Sequence, residues 1–170
     1  MTLLRPAALA LALVPSFTFD AVAQAPDRRV SAEDRTTIAA CVRESGEAPR
    51  ACIGAIAVVC ARPSGGNRQD LEVTCSRRET AVWRERLDVA LGALAQRLDS
   101  GPRSRLASVQ RSWEAYAAQK CALAGELQTP SRAAAMQAGC ELREVALRSF
   151  EIERMIRQQG RTDAPPRLER

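Results

Sequence analysis

Gln110-Arg111-Ser112-Trp113-Glu114-Ala115-Tyr116, followed by Cys121 and answered downstream by Cys140, Arg143 and Arg148, is the stretch on which the fold is read. Leu106, Val109, Trp113 and Tyr116 recur at three- and four-residue steps, so they mark the buried face of a helix reaching to about Ala124. Thr129 or Ser131 starts a last helix, with Met136, Cys140, Leu147 and Phe150 on one side and Ile152, Met155 and Ile156 widening the stripe. Upstream, Trp83, Leu87, Leu91, Leu94 and Leu98 keep the same rhythm from a start near Gln69 or Asp70, and Ser100-Gly101-Pro102 punctuates its end. Two shorter helices precede these. Ser31 is an N-cap with Glu33 and Asp34 in the first turn of a helix to about Glu44. A second, over about residues 50–61, stops at Arg62-Pro63-Ser64-Gly65-Gly66. Residues 71–74 are the one segment that also reads as a short strand. The pattern predicts an all-α protein, disulfide-stapled helical hairpins packed as a small bundle of about five helices.

The six cysteines fit that layout. Sequence alone does not choose among their pairings, but in a helical hairpin residues equally far from the loop centre lie opposite each other. Cys41 and Cys52 straddle the turn at Gly46, and Cys121 and Cys140 straddle the turn at Pro130. Helix axes sit about 8 to 10 Å apart, whereas bridged Cα atoms need about 4.4 to 6.8 Å. Each bridge therefore needs small neighbours, and Ala39, Ala40, Ala51 and Gly54 flank the first pair as Ala118, Ala122, Ala138 and Gly139 flank the second. Cys60 and Cys75 then close the Gly-rich loop, with exchange between Cys60 and Cys52 left open.

Disulfides require an oxidising compartment, and the first residues point to one. Arg5 supplies the positive charge of a short leading region, residues 7–14 are apolar, and small residues follow, which describes a secretory signal peptide too short to span a bilayer. Cleavage after Ala23 avoids leaving Pro26 at the new terminus. The expected organisation is a signal peptide over 1–23, a flexible segment over 24–30, one helical domain over 31–158 and a disordered tail over 159–170, the whole exported to the periplasm or secreted. No later stretch predicts a transmembrane segment.

The net charge of +5 comes from 25 basic and 20 acidic residues, and Lys120 is the only lysine. The arginines alternate with acids rather than forming a block, which reads as solvated helix faces, and few aromatics are available to stack on bases, so nucleic acid is not an expected partner. With no histidine in the chain, Ser-His and Cys-His nucleophiles are absent. A zinc site would need cysteines alone without CxxC spacing. No metal, cofactor or catalytic residue is expected. Paired carboxylates such as Glu79 with Glu85, or Glu114 with Glu126, are the only raw material for a wall hydrolase.

The Gln110-Arg111-x-Trp113-x2-Tyr116-x4-Cys121 element, with Cys140, Arg143 and Arg148, resembles the lysozyme inhibitor LprI-like family of small α-helical, disulfide-bonded bacterial envelope proteins. The segment with Cys41, Ala51-Cys52-Ile53-Gly54, Cys60, Gly65-Gly66, Cys75 and Arg78-Glu79 before Trp83 is similar to that family's cysteine-rich leader. The resemblance covers residues 41 to about 155 and implies a non-catalytic protein-binding role, with inhibition of lysozyme as the named activity. A partner as basic as animal lysozyme is steered by acid, and Glu114, Glu126, Glu141 and Glu144 around the second hairpin are the candidate contacts. Trp113 and Tyr116 read as core aromatics, and Arg143 and Arg148 as structural forks at helix ends or on Trp113. A second reading is a basic envelope protein that associates with anionic cell-wall or membrane polymers.

Overall fold

The structure, a computed structural model, describes residues 30–46, 48–62 and 68–162. The signal segment 1–23, nearly all of 24–30, the Pro63-Ser64-Gly65-Gly66 breaker and the tail from residue 163 lie outside the described residues. Every regular element among those described is helical: α1 (Ala32–Glu44), a 3-10 turn (Pro49–Cys52), α2 (Ala57–Cys60), α3 (Arg68–Gln96), α4 (Ser100–Glu126) and α5 (Pro130–Thr162). At 1.5 Å per residue the last three are rods of about 44, 40 and 50 Å. Among the described residues the fold is all-α, five helices with three disulfides.

The core lies between α3 and α5. Trp83, Leu87, Ala90 and Leu94 of α3 face Leu142, Val145, Ala146 and Ile152 of α5, and Ile38, Ile56 and Ala57 close the N-terminal side. Trp83 is fully buried and takes the edge of Phe150 at 5.0 Å between ring centroids. Contacts advance in the same direction along both helices, from Trp83 with Phe150 to Arg86 with Glu153, so α3 and α5 run parallel. α4 returns between them in sequence but packs chiefly on α5, antiparallel, as Gln110 meets Arg148 and Cys121 meets Cys140.

The disulfides join Cys41 to Cys52, Cys60 to Cys75 and Cys121 to Cys140, with Cα separations of 5.8, 5.7 and 5.3 Å, and no cysteine is free. Close approach at the α4–α5 tip comes from Gly125, where a Cβ would sit 3.0 Å from the Ala133 carbonyl oxygen. Gly139, expected from the sequence to serve this purpose, has open space around it.

Several boundaries differ from the sequence reading. Residues 71–74 are helical, because the α3 stripe continues through them. The helix expected over 50–61 is broken into the 3-10 turn and α2 by Gly54, whose φ of +101° is left-handed backbone that suits glycine. Ser100-Gly101-Pro102 opens α4 rather than closing α3: Pro102 stands in the first turn, where a missing N–H costs nothing. Arg103 then donates to the carbonyls of Ala95 and Leu98 at the end of α3. On α4 the buried positions are Gln110, Cys121 and Gly125, with Leu106 and Trp113 partly covered, while Val109 and Tyr116 are exposed, as is Met136 on α5. α4 packs chiefly on α5 and touches α3 only at its start and across a groove, so only one narrow face is covered. α5 continues to Thr162, so residues 159–162 are helix rather than tail; Met155 and Ile156 pack on the core and Arg97 donates to the Ile156 carbonyl, which anchors the last turns.

Candidate functional site

The Arg78-Glu79-x3-Trp83 motif is spent on structure. Glu79 is fully buried, and its carboxylate accepts from the backbone N–H groups of Gly54 (2.7 Å), Ile56 (2.9 Å) and Ala57 (2.8 Å) and from Trp83 Nε1 (2.9 Å). These backbone donors lie at the start of α2, where no helical carbonyl precedes them. One side chain therefore satisfies the irregular 53–57 segment and fixes the indole one turn away. Arg78 makes a two-pronged bond to buried Asp34, Nε–Oδ2 2.8 Å and Nη2–Oδ1 2.7 Å. The Arg78 guanidinium holds the Asp34 carboxyl below the ordinary aspartate range, against desolvation that acts the other way. Arg35 and Glu85 form a second fork between α1 and α3, at 2.7 and 2.9 Å, and the guanidinium lowers Glu85 in the same sense. Glu79 is enclosed, and Glu85, which lines a separate hollow of about 450 Å³, is paired with Arg35, so the two carboxylates do not share a cleft.

The second motif behaves similarly in part. Arg148 is only 5% exposed; its Nε donates to Gln110 Oε1 (3.1 Å), its Nη1 to Glu151 (2.9 Å), and its guanidinium carbon lies 5.6 Å from the Trp113 ring centroid. Gln110, Trp113 and Arg148 thus tie α4 to α5, the stacked use of an arginine fork. Arg143 is not part of this cluster. It lines a shallow hollow beside α2 with Gly139 and Val58. Arg111 is exposed on α4. Tyr116 is 56% exposed, with the Lys120 ammonium 5.6 Å from its ring.

Of the four candidate contact acids, the structure brings three together. Glu114 from α4 and Glu141 and Glu144 from α5 line one groove of about 370 Å³, floored by Trp113, Ala117, Ala118 and Val145, with Arg84 at its edge. Glu126 stands apart at the end of α4 and does not line it. Glu144 binds Lys120 at 2.7 Å, and that carboxylate raises the Lys120 ammonium above its usual value. Glu114 and Glu141 take amide partners only, Gln110 at 3.2 Å and Gln137 at 2.9 Å, so their charge is not cancelled. Arg84 is the member that the sequence reading missed; it carries no motif, and only its place across from α4 and α5 reveals it. Among the described residues no group of three or more His, Cys, Asp or Glu could hold a metal, and no helix is long and apolar enough to cross a membrane.

Comparison with curated proteins and with solved structures gives no match. The family described as lysozyme inhibitor LprI matches residues 60–151, from the second disulfide through the acidic groove to Glu151 beside Arg148. That segment is more than half of the 170 residues and carries α3, α4 and most of α5, so the chain belongs to the LprI lysozyme inhibitor family.

Proposed function

We propose that this chain works after export as a non-catalytic protein binder of the lysozyme-inhibitor type, receiving a basic partner such as lysozyme at the groove of Glu114, Glu141 and Glu144. The observation that carries this reading is the groove itself. Three carboxylates from two facing helices converge on one wall, two of them opposed only by amides, within the segment that matches the family and on a chain whose net charge is +5. An arginine or lysine of a partner finds there an uncancelled negative field over an indole floor, an arrangement that favours association rate and selectivity. The three disulfides and the signal-like residues 1–23 support an extracytoplasmic site of action. The enclosed Glu79 and the paired Glu85 support a role without catalysis.

The experiment is a lysis assay. Purified chain mixed with lysozyme at low ionic strength is expected to slow the clearing of a cell-wall suspension, and the effect is expected to weaken as salt rises. Glu114→Lys combined with Glu141→Lys reverses the field and is expected to remove the inhibition. Lysis undiminished by a molar excess of the chain would refute the proposal.

A further inference from the structure

We infer that a second groove, which shares Trp113 and the Lys120-paired Glu144 with the acidic one, is a binding site for an acidic saccharide, independent of any action on lysozyme. This groove, of about 820 Å³, runs between the 3-10 turn, α4 and α5. That is the size range of cavities that hold discrete ligands. Its walls carry the opposite charge. Arg50, Arg154 and Arg157 are exposed along it, and no carboxylate among the described residues pairs with them. Of its two acids, Glu144 is taken by Lys120 and Glu151 by Arg148.

The floor supplies a second and independent indication. Arg148 is 95% buried there, and its Nη2 has no hydrogen-bond partner although Nε and Nη1 both do. A buried guanidinium donor without an acceptor is costly and uncommon in a native fold. Trp113 and the exposed Tyr116 ring line the same wall. Sugar rings present C–H faces that pack on aromatic rings, and their carboxylates match the guanidinium fork. An acidic peptide can also meet an arginine cluster, but a chain of carboxylates alone leaves the Trp113 and Tyr116 rings uncovered and finds no unpaired backbone edge on these helices. Charge and aromatic surface together thus select a carboxylate-bearing saccharide.

The test uses the purified, disulfide-bonded chain titrated with hexagalacturonate and followed by tryptophan fluorescence, with neutral cellohexaose and a poly-glutamate of equal charge as comparators. Trp83 is fully buried, so a change reports Trp113. Binding of hexagalacturonate at least tenfold tighter than of either comparator supports the site. Arg154→Ala with Arg157→Ala, both at exposed positions that leave the core untouched, is expected to weaken it at least tenfold, and Tyr116→Ala at least threefold. Equal binding of poly-glutamate, equal binding of cellohexaose, no binding of hexagalacturonate, or affinity unchanged in the arginine variant would each overturn the inference. Lysozyme inhibition measured on the same variants keeps the two proposals apart, since Arg154 and Arg157 do not line the acidic groove.

Discussion

The N-terminal clamp and the α4 rod are attached to the same α5–α3 core by different means. Between residues 30 and 62 the chain makes short helices, closes its own turn with Cys41–Cys52, and is fastened to the core by Cys60–Cys75, two carboxylate–guanidinium forks, the burial of Ile38, Ile56 and Ala57, and three backbone donors to Glu79. α4 is 27 residues long, yet it holds to α5 through one disulfide near its end, the close approach at Gly125, the Lys120–Glu144 ion pair and the Arg148 contacts with Gln110 and Trp113. The clamp is over-determined and offers few free groups. α4 leaves most of its circumference uncovered, including Val109, Tyr116 and Leu123 at seven-residue spacing, and both grooves form along it. Polar side chains in this fold build structure where the backbone is irregular and become available for recognition where a helix is covered along one face only.

The sharpest way to break the comparison is Glu79→Ala. It leaves three backbone N–H groups and an indole N–H without an acceptor in the interior, and is expected to cost at least about 4 kcal/mol, a large share of a typical 5 to 15. Urea unfolding followed by circular dichroism measures it; a loss under about 1 kcal/mol would mean that the clamp does not depend on this carboxylate. Next come the disulfides. Cys41→Ser with Cys52→Ser is expected to cost about 3 kcal/mol through loop closure, to leave the acidic groove between α4 and α5 in place, and to loosen only the 3-10 wall of the arginine groove. Cys121→Ser with Cys140→Ser should cost a similar amount but also weaken binding at both grooves. Equal effects on binding would erase the distinction between the regions.

Acid separates the regions further. Because the Arg78 and Arg35 guanidinium groups hold Asp34 and Glu85 below their ordinary range, the folded chain binds fewer protons than the unfolded one, and stability rises with pH. The two forks contribute fully above about pH 4 and fade as pH falls through the lowered folded values. Asp34→Asn is expected to cost about 1 kcal/mol at neutral pH and to flatten the acid side of the stability profile; a profile as steep as that of the parent would count against it. The smallest effect lies on α4. Lys120, raised by Glu144, contributes below its unfolded value near pH 10.4 and loses that contribution as pH climbs past it. Its side chain is 45% exposed, so Lys120→Ala is expected to change the thermal midpoint by about a degree or less.

Helix content was legible because α3 and α5 carry apolar stripes of consistent period, and the hairpin rule found Cys41–Cys52 and Cys121–Cys140 because it depends only on distance from a turn. The same rhythm misled on α4: Val109 and Tyr116 keep helical spacing with Trp113 but stay exposed. Periodicity reports which residues share a face, not whether another element covers it. Among the site residues, the four acids were visible as charges near a hairpin, whereas Arg84 and Arg50 come from elements separate from the α5 pair Arg154 and Arg157, and no local pattern joins the three elements.

Composition and spacing by themselves determined an all-α chain with its cysteines poised across turns, since both follow from local geometry along one strand of sequence. Only the tertiary structure decided that α3 packs on α5 rather than on the α4 that follows it, and that Glu79 answers backbone groups more than twenty residues away. The reason is physical. Which apolar face covers which, and which buried donors need an acceptor, depend on contacts distant in sequence, and those exist only once the chain has closed on itself.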